Sequence, residues 1–94
     1  MIKVVAPQPF KEAITPEVKA LLEEMIAATR KEDGCISYEL CKTIDGEEYA
    51  FIEQWETQEA LDAHMNSEHF KRLIPQIGAF QNPGKKVNVY TVYL

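Results

Sequence analysis

The chain has 94 residues, which suits one domain spanning residues 1–94, and its 46% apolar and 27% charged residues exclude a disordered, collagen-like or coiled-coil protein. Its net charge of −5 argues against a nucleic-acid partner, because nucleic-acid binding depends on neutralising phosphates. No apolar run approaches the ~18 residues of a membrane span and the N-terminus has no signal-peptide pattern, so we expect a cytoplasmic protein with no membrane partner.

The first two predicted elements are a strand and an amphipathic helix. Residues Ile2 to Ala6 form a β-rich run that stops at Pro7, because proline cannot donate to a sheet ladder. Thr15-Pro16-Glu17 predicts a helix start, with a hydroxyl N-cap, a first-turn proline and an acid at the positive end of the helix dipole. Gly34 is predicted to cap the C-terminus of this helix. Its apolar face repeats every three or four residues: Val18, Leu21, Leu22, Met25, Ile26 and Thr29.

A β-hairpin is predicted next. Its first strand, Cys35 to Lys42, alternates in period two, and Asp45-Gly46 supplies the turn. We expect that strand to place three side chains on one face: Ile36, Tyr38 and Leu40. The return strand, from about Glu48 to Glu56, is expected to place four side chains on one face: Tyr49, Phe51, Glu53 and Trp55.

The remaining chain predicts a broken helical region and a closing strand. Thr57 caps the first helical segment, and Ser67 caps a second one after a break at Asn66-Ser67. We expect Pro75 to kink or end the second segment, because it lacks the N–H that a helix uses. Lys85 to Leu94, rich in β-branched and aromatic residues, predicts the last strand.

The element order β-α-β-β-α-β predicts an α+β, ferredoxin-like fold with a four-stranded antiparallel sheet. Right-handed crossovers place both helical regions on one face of that sheet. Both strand faces carry apolar residues, so the uncovered face would be an exposed apolar patch. We therefore expect a homodimer whose subunits meet through the open sheet faces, a dimeric α/β barrel.

Neither the cysteines nor the histidines predict a disulfide or a metal site. Cys35 and Cys41 are about 20 Å apart on one strand, whereas a disulfide needs Cα atoms within ~7 Å. His64 and His69 lie about 140° apart around one continuous helix, so we do not expect them to converge on a metal. The break at Ser67 leaves a different geometry open.

Three stretches of the sequence resemble a known family: Glu32 to Leu40, Glu53 to Glu56 and Glu59 to Phe70. Together they resemble the antibiotic biosynthesis monooxygenase (ABM) domain family, and the flanking elements extend the resemblance over nearly the whole chain. The resemblance implies a small enzyme that uses no flavin, haem or metal cofactor. In such chemistry an electron-rich, quinol-like or polyketide-like aromatic substrate loses a proton, and its anion passes an electron directly to O₂.

The resemblance makes Trp55 and Phe51 aromatic walls of a substrate-binding pocket, although both are also ordinary core residues by strand geometry. Glu53, between them on the same face, is costly to bury unless it is paired or protonated. Either a cation such as Arg30 or Arg72 pairs with it, or it is a polar anchor for the substrate.

His64 is the leading candidate for the catalytic acid or base, because a neutral imidazole can take a phenol proton or donate to the resulting anion. His69 is the second catalytic candidate, and helix packing is the alternative for both histidines. Tyr38 is a candidate to hydrogen-bond a quinone oxygen, and Phe70 is a candidate lining residue or a core residue.

Two other functions remain open on the sequence. One is isomerisation or degradation of a small phosphorylated signal, for which only Lys71 and Arg72 suggest a phosphate site. The other is a non-catalytic dimeric ligand-binding or stress-response module, in which Trp55, Met65 and Phe70 fill the pocket.

Overall fold

The computed structural model describes residues 1–84 and 86–94, and its elements follow the predicted order with the second helical region divided in two. The strands are β1 (Ile2–Pro7), β2 (Cys35–Lys42), β3 (Tyr49–Trp55) and β4 (Asn88–Thr91). The helices are α1 (Pro16–Thr29), α2 (Gln58–Met65) and α3 (Glu68–Gly78). The predicted α+β, ferredoxin-like class is confirmed. None of the helices in the described residues is long and apolar enough to cross a membrane.

The four strands form one antiparallel sheet in the order β2-β3-β1-β4. The pairing aligns three residues in one row, because Glu53 of β3 lies opposite Val4 on one side and Tyr38 on the other. All three side chains lie on the face that the helices cover, where each is at most 4% exposed. The register of the sheet therefore carries a carboxyl group into the interior of the protein.

The core lies between this sheet face and the helices. Helix α1 contributes the buried residues Val18, Leu22, Met25 and Thr29, which belong to its predicted apolar face. Helix α3 packs against α1 and buries Leu73 and Ile77. The helix continues through Pro75 to Gly78, and these two core residues lie on either side of the proline. The expectation of an early end at Pro75 is therefore wrong.

Gly34 has a different role from the predicted helix cap. Helix α1 ends at Thr29, and Arg30 closes its last turn by donating its N–H to the carbonyl of Ile26 at 3.0 Å. Gly34 lies further along, with a φ of +82°, and a Cβ there would be 2.6 Å from the Cβ of Ala60. The glycine therefore lets the turn after α1 approach α2 closely in a conformation that other residues rarely adopt.

The start of β2 contains a β-bulge that the alternating sequence pattern does not predict. Cys35 pairs with Trp55, but Ser37 pairs with Gln54, so Ile36 is an extra residue in β2. The extra residue reverses the alternation, and Ile36 is 46% exposed while Tyr38 is buried. The expectation that Ile36 shares the face of Tyr38 is wrong for this reason.

The last strand is shorter than predicted. Strand β4 spans Asn88–Thr91 and pairs with β1 from Val5 back to Ile2. Because β1 begins at Ile2, it offers no further residue opposite the three residues from Val92 to Leu94. Of the predicted strand, Lys85 lies outside the described residues.

The sheet face turned away from the helices carries exposed apolar side chains. Ile52 of β3 is 37% exposed and Tyr90 of β4 is 53% exposed, and both alternate with residues of the helix-covered face. This surface is consistent with a partner on the open side of the sheet.

Replacing Gly34 by alanine should cost about 3 kcal/mol of unfolding free energy, because the change adds both a positive-φ strain and a steric clash with Ala60. Gly46→Ala is the matched control, since Gly46 has a φ of +79° but nothing within 4 Å of the added Cβ. We expect the control to cost about 1 kcal/mol, from backbone strain alone. Urea unfolding of both variants measures the difference, and equal losses would contradict the close approach at Gly34.

Candidate functional site

Aromatic side chains surround one buried histidine, His64, beneath the sheet. Trp55 is fully buried, and the centroid of its ring system lies 4.8 Å from that of the His64 imidazole. The rings of Tyr38 and Phe70 approach the same imidazole at 5.4 and 5.0 Å. Tyr38 in turn stacks on Phe51 at 4.8 Å. The His64 side chain, 2% exposed, therefore sits in an environment that is largely free of water.

The carboxylate of Glu32 holds this imidazole from the turn after α1. Oε2 of Glu32, in the turn after α1, lies 2.7 Å from Nδ1 of His64. Because a carboxylate oxygen has no hydrogen to donate, Nδ1 of His64 carries the hydrogen of this bond. Among the described residues the imidazole is bonded through Nδ1 alone, which leaves Nε2 as its accepting nitrogen.

His69 reaches the same carboxylate oxygen. Its Nε2 lies 3.0 Å from Oε2 of Glu32, and the hydroxyl oxygens of Ser67 and Thr29 lie 3.3 and 3.4 Å from that nitrogen. The ring centroids of His64 and His69 are 6.1 Å apart. The two histidines therefore converge, and the expectation that they point apart is wrong.

The break between α2 and α3 produces this convergence. Ser67 donates its hydroxyl to the carbonyl of His64 at 2.7 Å and accepts the N–H of Phe70 at 3.3 Å, so it ends one helix and caps the next. The chain changes direction at Ser67 and α3 begins with His69 facing back toward Glu32. The 140° separation applies only to a continuous helix, which the chain does not form here.

Glu53 is buried, and no cation of the described residues pairs with it. Its Oε1 accepts the indole N–H of Trp55 at 3.0 Å, and the carboxyl is 4% exposed. The two cations expected as partners are engaged elsewhere: Arg30 donates to the carbonyl of Tyr38, and Arg72 pairs with Glu24 and Glu68.

Burial raises the pKa of Glu53 to about 7. The hydrogen bond from Trp55 lowers this pKa and the charge of Glu32 raises it, but burial has the largest effect. A large share of the Glu53 carboxyl groups is therefore protonated at neutral pH.

Burial lowers the pKa of His64, although the hydrogen bond and the charge of Glu32 act in the opposite direction. The imidazole is therefore neutral at physiological pH, as a general base must be. Burial also raises the pKa of Tyr38 well above its usual range, and the charges of Glu53 and Glu32 add to this effect. The Tyr38 phenol consequently keeps its hydrogen and serves as a donor.

The structure brings all the sequence-predicted site residues into one connected cluster: Phe51, Tyr38, His64, His69, Trp55, Glu53 and Phe70. Sequence analysis gave no role to Glu32, which lies 32 residues before His64 and has no local pattern that links it to the histidines. It also missed Thr29, although a polar residue on the buried face of α1 was a usable signal.

Four surface grooves of the described residues lie away from this cluster, with volumes of about 290 to 550 Å³. One of about 450 Å³ runs along Pro7 to Ala13 and Gly46 to Tyr49. None of the four is lined by Trp55 or His64. The cluster reaches solvent instead through its edge, where Glu32 and His69 are each 15% exposed.

Comparison with known proteins identifies the family. The family model described as antibiotic biosynthesis monooxygenase matches residues 1–76, which include every residue of the cluster. The chain belongs to the antibiotic biosynthesis monooxygenase family. At the level of this family it is a monooxygenase-type protein.

Individual relatives agree with this assignment. The chain is 43% identical over 61 residues to Rv0793 of Mycobacterium tuberculosis, which is named as a candidate monooxygenase. The match covers 65% of this chain and 60% of Rv0793. A crystal structure of an antibiotic biosynthesis monooxygenase superposes with a TM-score of 0.84 at 33% identity and full coverage of both chains. A conserved protein from Methanosarcina mazei Go1 gives a TM-score of 0.87 at 31% identity, covering 95% of this chain and 89% of its own.

The raised pKa of Glu53 predicts a pH dependence of the stability of this ABM protein. The folded protein holds the Glu53 proton more tightly than the unfolded chain, so the contribution of Glu53 to stability is full below pH 4.5 and is lost as the pH rises through 7. The unfolding free energy should therefore fall by about 3 kcal/mol over this range. Glu53→Gln, which keeps an acceptor for Trp55, should abolish this pH-dependent loss.

Urea unfolding between pH 4.5 and 8 measures this difference. Glu23→Gln, which removes an exposed carboxyl on α1, is the control and should follow the wild type. A stability difference between Glu53→Gln and the wild type that does not change with pH would show that Glu53 is ionised throughout.

Proposed function

We propose that this ABM protein is a cofactor-independent monooxygenase acting on a small quinol-like or polyketide-like aromatic substrate with O₂. The observation that carries the proposal is a neutral imidazole, His64, held by a carboxylate on one nitrogen and enclosed by aromatic rings. A water-poor aromatic pocket with a base and hydrogen-bond donors is what such chemistry asks of a protein. The family assignment supports the same reaction class.

In this proposal Nε2 of His64 removes the phenolic proton, and Glu32 stabilises the imidazolium that forms. The substrate anion then reduces O₂, one oxygen atom enters the product, and the other leaves as water with electrons that the substrate supplies. No flavin, haem or metal takes part. His69 shares the carboxylate of Glu32 and orients it.

The remaining cluster residues position the substrate. Trp55 and Phe51 form the walls, Tyr38 donates to the anion, and Glu53 is a polar anchor rather than half of an ion pair. The substrate reaches them at the partly exposed edge of the cluster, which Phe70 lines beside His64.

We also propose that the enzyme is a cytoplasmic homodimer that joins through the open sheet faces. The exposed side chains of Ile52 and Tyr90 on the uncovered face support this arrangement, since an isolated subunit would leave them in water.

A non-catalytic ligand-binding or stress-response module is the second candidate. It is favoured by one observation, the full burial of Trp55. For the isomerase alternative, one of the two cations suggested for a phosphate group, Arg72, is paired with Glu24 and Glu68.

Oxygen uptake with hydroquinones and anthrones, in the presence of a metal chelator and without flavin, tests the enzymatic proposal. We expect uptake above the uncatalysed rate, and we expect His64→Ala to lower it at least about tenfold, because general-base catalysis contributes ~10²–10⁴-fold. His64→Gln keeps a polar side chain of similar size and guards against a folding defect in the alanine variant. Circular dichroism reports the fold of both variants.

Tyr49→Phe is the matched control. Tyr49 lines the groove along Pro7 to Ala13 and lies outside the His64 cluster, so uptake should be unchanged. Wild-type oxygen uptake in both His64 variants would show that His64 is not the general base. Loss of uptake in Tyr49→Phe would indicate that the substrate binds in the groove that Tyr49 lines. A rate no higher than the uncatalysed one would favour the binding module.

A further inference from the structure

The cluster holds three potential metal ligands, one more side chain than proton transfer by His64 and Glu32 uses. Oε2 of Glu32, Nδ1 of His64 and Nε2 of His69 all lie within 4.8 Å of one another. An acid–base pair requires one carboxylate and one imidazole, and Glu32 with His64 supplies both. In the proposed base chemistry the second imidazole on the same oxygen only orients the carboxylate, so its nitrogen is available as a further ligand.

We propose that Glu32, His64 and His69 form a binding site for one divalent transition-metal ion of the zinc class. Two imidazole nitrogens and one carboxylate oxygen are a donor set that zinc accepts, with a fourth position left for water. Calcium and magnesium do not fit, because they prefer six or more oxygen ligands.

The distances in the cluster are close to those of a metal site. Ligand atoms around a tetrahedral zinc, with bonds of ~2.0–2.2 Å, lie about 3.4 Å apart. Here Oε2 of Glu32 is 2.7 Å from Nδ1 of His64 and 3.0 Å from Nε2 of His69. Those two distances must lengthen by less than an ångström, and the two histidine nitrogens, which lie within 4.8 Å of each other, must approach by up to about 1.4 Å, for all three atoms to coordinate one ion.

The position of the cluster permits an ion to reach it. Glu32 and His69 are each 15% exposed, whereas His64 is 2% exposed, so the ion arrives from the solvent side and meets the buried imidazole last. The hydroxyl groups of Thr29 and Ser67 lie beside Nε2 of His69 and can hydrogen-bond a water in the fourth position.

Coordination changes the state of the proposed base. A neutral imidazole that binds a metal through Nδ1 must carry its hydrogen on Nε2. That nitrogen is the one expected to accept the substrate proton, and the metal also takes the carboxylate of Glu32. Bound zinc should therefore inhibit turnover, a consequence that rests on the proposed function while the metal site itself does not.

Isothermal titration calorimetry of zinc chloride into chelator-stripped protein tests the site. Because Cys35 and Cys41 are free thiols that also bind zinc, the titration uses a Cys35→Ser/Cys41→Ser background. We expect one ion per chain and at least about a tenfold loss of affinity in Glu32→Gln and in His69→Gln, since losing even an outer partner of a ligand costs ~10–100-fold. Glu23→Gln, which removes the same charge from the surface of α1, should bind as the background does.

Oxygen uptake with and without zinc supplies the second readout. Zinc binding that depends on Glu32 and His69 and lowers uptake supports the site and its inhibitory effect. Binding that raises uptake keeps the metal site and overturns cofactor-free catalysis. No binding, or binding that Glu32→Gln and His69→Gln leave unchanged, overturns the metal site and leaves the proposed function standing.

Discussion

The carboxylate of Glu32, shared by His64 and His69, is the interaction on which the candidate site depends. Because His64 is deeply buried, an Nδ1–H without an acceptor would lower the unfolding free energy of the protein by about 1–3 kcal/mol. Two local features make the contact possible: the positive φ of Gly34, which brings the turn after α1 against α2, and the helix break at Ser67, which turns His69 back. The site is thus assembled by loops and helix ends on a rigid sheet.

Much of the fold follows from local sequence signals. The Thr15 cap, the apolar face of α1 and the alternation of β3 act over a few residues, so the sequence predicts them correctly. The bulge at Ile36 and the close approach at Gly34 depend instead on which strand and helix each segment meets. Periodicity within one element carries no information about such contacts.

The site residues likewise fall into those that a local sequence pattern predicts and those that depend on distant contacts. The shared face of Phe51, Glu53 and Trp55 follows from a two-residue period, and the structure buries all three. Neither of the two cations considered for Glu53 pairs with it: Arg30 donates to the carbonyl of Tyr38, and Arg72 pairs with Glu24 and Glu68. Burial instead raises the pKa of the Glu53 carboxyl to about 7. Glu32 could not be found from the sequence, since its partners lie 32 and 37 residues away.

Glu32 fixes the tautomer of His64, and nitrogen-15 NMR of the histidine side chains tests this most directly. We expect His64 in the wild-type protein to be neutral near pH 7.5 with its hydrogen on Nδ1, and Glu32→Gln to weaken this preference. Tyr49→Phe, outside the cluster, should leave the spectrum of His64 unchanged. A His64 that carries its hydrogen on Nε2 in the wild-type protein, or one that does not respond to Glu32→Gln, would contradict the account.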